Sequence, residues 1–223
     1  MNADRPSVLR RAMPLLAIAA LSLGLWFGLQ QFQTGMQGPT GMQGPTDLHA
    51  ATALYPPRPL RNFALTGDDG QPFTLDSLRQ RWTFLSIGYT HCPDICPTTL
   101  ATFDAVAKQA NSAAKRPQFL FVSVDPERDT PEKLRQYVTY FNPEFRGATG
   151  PQEALNKLTG QLGLIYRRVD GQDTALGYLV DHSASILLID PLGRLAAIFS
   201  APHDPGAMAQ DYITITSRAD QGH

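Results

Sequence analysis

Cysteine is nearly absent from this chain. There are two in 223 residues, both within His91-Cys92-Pro93-Asp94-Ile95-Cys96-Pro97, so a multi-disulfide scaffold is excluded and the pair needs a local explanation. Charge is sparse as well: charged residues make up 17% and the formal net charge is −1. Without a broad basic surface, nucleic acid is set aside as a partner. Lys and Arg are missing altogether between Arg11 and Arg58. The length suits one ordinary domain with extra segments.

The N-terminus is the first thing present. Arg5, Arg10 and Arg11 precede an uncharged run over 12–32, rich in Leu, Ala and Ile and carrying Trp26 and Phe27. About 20 apolar residues in a helix cover the roughly 30 Å hydrocarbon core, and an interfacial aromatic suits one end. The run therefore predicts a single-pass anchor in the inner (cytoplasmic) membrane, with residues 1–11 cytoplasmic and the remainder in the periplasm by the positive-inside rule. A cleaved signal peptide is the competing reading, but Ala17-Ile18-Ala19 falls inside the run and leaves too short an apolar region before it. Next, Gly35-Met36-Gln37-Gly38-Pro39-Thr40 recurs as Gly41 to Thr46. Four Gly-X-Y triplets are too few for a collagen helix, so 33–58 is expected to be a flexible Gly/Pro linker, stiffened at Tyr55-Pro56-Pro57-Arg58-Pro59. Met36 and Met42 are soft copper donors in principle, but a duplicated linker accounts for them.

From residue 59 to 218 the patterning predicts one α/β domain, followed by a tail over 219–223. Phe63 to Leu65 and Phe73 to Leu75 flank Gly67-Asp68-Asp69-Gly70 as a hairpin. Trp82 to Tyr89 and Phe119 to Val124 read as buried strands around a helix from Pro97 to about Ala114. Thr130-Pro131 caps a helix with Leu134, Tyr137, Val138 and Phe141 on its apolar stripe, and another helix is expected from Gln152 to Leu162. Ser185 to Ile189 and Leu195 to Phe199 join through the turn Asp190-Pro191-Leu192-Gly193. A last helix runs from Pro205 to about Ser217. The order β-α-β-α-β-β-α is thioredoxin-like, a central mixed sheet flanked by helices.

Cys92 and Cys96 fall where an apolar strand gives way to a helix, and the positive end of the helix favours thiolate there. In an already helical backbone, their i, i+4 spacing would put both sulfurs on one face. A stabilising disulfide is a weak alternative, because so short a loop removes little unfolded-state entropy. A third ligand must come from five histidines. His49 lies in the tether, His203 in a loop and His223 at the end. His182 stands at the edge of a buried strand that can face the helix start, and His91 is the runner-up beside Cys92. Two thiolates with one imidazole suit copper, as Cu(I) or as Cu(II) with added oxygen ligands, whereas structural zinc wants four protein ligands. This favours a binding and transfer protein over an enzyme. A thiol-disulfide oxidoreductase using Cys92 and Cys96 is the alternative, although C-x-x-C is the commoner spacing for such enzymes.

Three blocks, Gly88-Tyr89-Thr90-His91-Cys92-Pro93-Asp94-Ile95-Cys96-Pro97-Thr98-Thr99-Leu100, Val122-Ser123-Val124-Asp125-Pro126-Glu127-Arg128-Asp129-Thr130-Pro131 and Val180-Asp181-His182-Ser183, strongly resemble the SCO/SenC family of cytochrome oxidase assembly proteins. The resemblance runs from about Pro59 to Ile213. It implies a thioredoxin fold on one membrane anchor, copper held by Cys92, Cys96 and His182, and delivery to the dinuclear copper centre of cytochrome c oxidase subunit II, with a thiol-disulfide role on that subunit's cysteines. A second periplasmic copper carrier is the other partner this reading allows. The chain departs from the family at Ser86-Ile87, where relatives often have two aromatics, and at Gln80, where glycine is common. Asp125 and Asp129, in the acidic block, read as turn-forming and capping residues rather than ligands.

Overall fold

The structure is a computed structural model that describes residues 47–110, 115–174 and 177–221. The expected cytoplasmic segment, the anchor over 12–32, the tether up to residue 46 and His223 lie outside the described residues. Among the described residues, no helix is long and apolar enough to cross a membrane.

The strand β4 (Thr83–Gly88) is buried along its whole length, as its continuous apolar run requires. It pairs in parallel with β5 (Gln118–Ser123), and β5 pairs in parallel with β6 (Arg146–Thr149). Parallel neighbours need crossovers. These are α1 (Ile95–Gln109) and α2 (Pro131–Phe141). On its other side β4 pairs antiparallel with β9 (Ile186–Ile189), which leads to β10 (Arg194–Phe199) and to β1 (Ala51–Pro59). With β2 (Ala64–Gly67) and β3 (Pro72–Thr74), the sheet order is β1-β10-β9-β4-β5-β6-β2-β3. The helices α3 (Gln152–Leu162) and α4 (Pro205–Gln221) complete the layers, α4 packing on α1. A separate two-stranded sheet joins β7 (Tyr166–Thr174) to β8 (Gly177–His182). The thioredoxin-like architecture expected from the pattern is present.

Aromatic side chains bind the layers together. Phe84 stacks on Phe119 at 5.3 Å and meets Phe103, Phe199 and Tyr212 at 6.5, 5.6 and 5.4 Å. One residue of β4 thus touches β5, α1, β10 and α4.

Local chemistry sets the element ends. The hairpin pairs Leu65 with Phe73, Thr130 caps α2 by accepting from the Lys133 amide (3.3 Å), and Gly193 closes the β9–β10 turn at φ 75°. Four boundaries differ from expectation. The linker expected over 33–58 ends earlier, because 51–59 form β1. Pro56 and Pro57 fall within its register shift between Ala53 and Arg58, where a missing N–H breaks no ladder bond on an edge strand. Helix α1 starts at Ile95, not Pro97, and ends at Gln109, while residues 111–114 lie outside the described residues. Helix α4 continues through Gln221, so 219–221 are its last turn and not a tail; Ser217 to Gln221 contain no glycine or proline to stop it. Short β6 and the β7–β8 hairpin were not foreseen.

Both departures from the family pattern leave a mark. Gln80 adopts φ 68°, a left-handed conformation suited to glycine, while its N–H reaches the Pro191 carbonyl at 2.9 Å. Ser86 is buried on β4 with its hydroxyl unbonded.

Candidate metal centre

The cysteine half of the site grows from the end of β4. Gly88 is required there by contact: a Cβ on it would lie 2.6 Å from both Cys96 Sγ and Phe121 Cζ. Cys92 follows in a turn closed by its own N–H on the Tyr89 carbonyl (3.3 Å), ahead of the helix. The condition for sharing a helix face is therefore not met, and the turn brings the sulfurs together instead. Cys96 is buried in the first turn of α1 at 1% exposure, and Cys92 is half-buried; neither is in a disulfide.

The imidazole half comes from outside the main sheet. His182 ends β8, and its Nε2 lies 3.3 Å from Cys96 Sγ. Its Nδ1 is 3.1 Å from the Ser183 carbonyl. An Nδ1–H donated there leaves the Nε2 lone pair facing the sulfur, the arrangement that orients metal-binding histidines. Tyr89 stands edge-on to the ring at 6.1 Å. Ser183 hooks to Ile165 through N–H to carbonyl (2.8 Å) and accepts the Ile165 N–H on its hydroxyl (2.9 Å). His203, expected in a loop, lies 2.8 Å from the next carbonyl, Ala184.

One ligand atom from each of Cys92, Cys96 and His182 lies within 4.8 Å of the others. A hydrogen bond from the Cys96 thiol, above all, pulls the Cys92 thiol down to about 3, and the amides of Asp94 and Cys96 act in the same direction against burial. Cys96 is pushed up by that same bond, by burial and by the Cys92 charge. The two shifts run in opposite directions, Cys92 toward thiolate and Cys96 toward thiol. Two soft sulfurs and one neutral nitrogen form a donor set suited to copper.

A third segment, the loop from β5 to α2, ties the halves together. Asp129, 1% exposed, accepts from the Thr90 amide (2.8 Å), the Thr90 hydroxyl and the Ser123 hydroxyl, fixing the cysteine loop to β5. Arg128 fixes the hairpin: its Nε donates to Asp125, its Nη1 donates to the Tyr178 carbonyl at 2.9 Å, and its guanidinium lies 3.6 Å from the Tyr178 ring centre. It also faces Tyr89 at 5.4 Å. Tyr178 donates its hydroxyl to Asp125. The acidic block, read as turn and cap, is a bracket between the ligand-bearing elements.

The other histidines are elsewhere. His91 groups with Asp125 and Asp129: its Nδ1 lies 3.7 Å from Asp129, and its Nε2 is 3.1 Å from Lys133 Nζ. The backbone N–H of His49 is spent on Asp211. Sequence reasoning missed Arg128, Lys133, Tyr89 and Tyr178 as supports; the resembling blocks contain all of these except Lys133 and Tyr178.

Comparison with known proteins bears on the fold and the family. An SCO2-like protein of Rickettsia conorii is 33% identical over 149 residues, covering 67% of this chain and 73% of that protein. The structure of Arabidopsis thaliana ScoI with copper bound superposes with a TM-score of 0.67 at 31% identity, covering 71% of this chain and 98% of that one. Bradyrhizobium japonicum ScoI, also with copper bound, gives 0.61 at 34% identity over 69% and 96%. Residues 52–217 match the SCO1/SenC family, from β1 through most of α4 and including all three candidate ligands, and the chain belongs to that family.

Proposed function

We propose that this chain is a membrane-anchored copper chaperone that carries copper on the Cys92 and Cys96 thiolates and the His182 imidazole. It delivers the metal to the dinuclear copper site of cytochrome c oxidase subunit II. The observation that carries the reading is the convergence of two sulfurs and one nitrogen within 4.8 Å, with relatives of the same fold holding copper. The half-exposed Cys92 gives an acceptor a first point of ligand exchange, while the Ser183 carbonyl keeps the imidazole tautomer fit to bind. Residues 12–32 supply the anchor in the inner membrane, with the domain in the periplasm.

The depressed Cys92 thiol favours a second reading, reduction of the oxidase cysteines. The Cys92 thiolate attacks a substrate disulfide and releases one substrate thiolate. Cys96, giving up its proton, then attacks the Cys92 sulfur, releasing the second substrate thiol and leaving a Cys92–Cys96 disulfide. His182→Ala separates the two readings. Copper affinity and oxidase copper content should fall sharply while dithiol cycling persists. Unchanged copper affinity in this variant sinks the chaperone reading, and sequencing the mature N-terminus tests the anchor.

A further inference from the structure

Strand β4 has the metal ligands at one end only. It finishes at Gly88, beside Cys96, and begins at Thr83, which pairs with Gln118 of β5 and Ile189 of β9. Its six residues set these ends roughly 17–20 Å apart. The β9–β10 turn follows Ile189 at the Thr83 end, and β1 finishes beside that turn: Pro59 pairs with Arg194, and the Leu60 amide donates to the Gly193 carbonyl at 3.1 Å. The next amide, of Arg61, donates to Gln161 in the last turn of α3.

Two hollows open on this end. One, of about 660 Å³, is lined by Arg58, Arg61 and Lys157 and by no acidic residue. All three cations are exposed, and none pairs with a carboxylate among the described residues. The neighbouring carboxylates are taken, Asp190 by Arg194 at 2.6 Å and Asp76 by Arg79 at 2.9 Å. The other hollow, of about 470 Å³, is flanked by Tyr55 and Leu192, apolar side chains left 43% and 55% exposed. Arg218 lines it too and holds Asp47, where the described chain starts. The chain therefore enters the domain at this end. Residues 33–46, which lead back to the apolar run over 12–32, reach at most about 50 Å when fully extended.

Unanswered cations beside exposed apolar side chains suit a surface that lies on anionic lipid, where basic groups meet phosphates and apolar ones enter the acyl boundary. We propose that this end of the domain docks on the bilayer, with Arg58, Arg61 and Lys157 binding the phosphates of anionic headgroups and Leu192 and Tyr55 inserting beside them. Charge complementarity selects the lipid class, and the entry of the chain at Asp47 selects the end that meets it. A domain docked in this way turns Cys92, Cys96 and His182 away from the lipid.

The proposal rests on the anchor reading and adds a second contact to it, so the test separates the two. The full chain is placed in nanodiscs of phosphatidylcholine alone and of phosphatidylcholine with about one-third phosphatidylglycerol. Arginines and lysines are modified with neutral reagents, a dicarbonyl and an acetyl ester, and the sites are read by mass spectrometry. Modification of Arg58, Arg61 and Lys157 should slow about fivefold or more in the anionic discs and recover in about 1 M salt. Arg135, an exposed cation on α2, should react equally in both. Leu192→Asp should remove the protection of all three cations. Equal modification in the two kinds of disc, equal slowing at Arg135, or protection that survives Leu192→Asp overturns the proposal. A chain that leaves the discs in about 1 M salt removes the anchor reading, and the protection pattern at low salt still decides the docking face.

Discussion

Cys96 sits in the first turn of a helix packed on the central sheet, whereas His182 ends a two-stranded sheet that shares no ladder with the eight-stranded one. Burial holds the thiol half: Cys96 is 1% exposed, and its sulfur and Phe121 leave no room for a Cβ at Gly88. Polar latches hold the imidazole half, namely Arg128 on the Tyr178 carbonyl, Ser183 on Ile165, and His203 on Ala184. Elements with few buried apolar contacts open at lower free energy than the core. The candidate centre thus joins a half held by burial to a half held by polar latches.

The sharpest way to isolate the thiol half is through pH. Because the Cys92 pKa is lowered to about 3, its thiolate should persist as pH falls from neutral toward that value. Alkylation of Cys92 in the reduced, metal-free chain should then continue in mild acid. Cys96→Ala removes the main cause of the shift, so reactivity should retreat toward that of an ordinary thiol near about 8.5. Mass spectrometry of alkylated peptides across pH checks this, and a Cys92 already silent at pH of about 6 would contradict it.

Phe84→Ala attacks the aromatic packing between the central sheet and its helices and should destabilise the domain by about 3–5 kcal/mol in denaturant unfolding. Both halves should be lost in one transition. Arg128→Ala should instead break the comparison on one side only. We expect copper affinity to fall by about 10–100-fold in a chelator competition, as for other residues that orient ligands, with faster amide exchange confined to β8. Arg128→Lys should not restore affinity, since an ammonium lacks the fork that serves Asp125 and the Tyr178 carbonyl together. The smallest effect is expected far from both halves: Gln80→Gly relieves the left-handed backbone and should stabilise by about 0.5–1 kcal/mol with copper affinity unchanged.

The same division explains what the sequence could reveal. Strands β4 and β5, the Thr130 cap and the β9–β10 turn are local signals, carried by apolar runs and turn residues. The hairpin bearing His182 is not, because Arg167, Arg168 and Asp181 are exposed and leave no alternating apolar pattern to read. Strand β1 was hidden by its prolines, and β6 by its shortness. The cysteines were legible from spacing, and His182 from its place before a buried strand and from the family resemblance. Arg128 was invisible as a support because its role depends on Tyr178, fifty residues away.

The start of the described chain is strapped to the domain in a way that governs how it answers a pull. Asp47 pairs with Arg218 at 2.8 Å, and the amides of His49, Ala50 and Ala51 converge on buried Asp211, two turns earlier on the same helix. The β1–β10 ladder follows at once. Tension arriving ahead of residue 47 is thus taken up by an ion pair, then a carboxylate gripped by three amides, then an edge strand, none of which carries a metal ligand. The strap and the candidate metal centre occupy separate elements of the molecule.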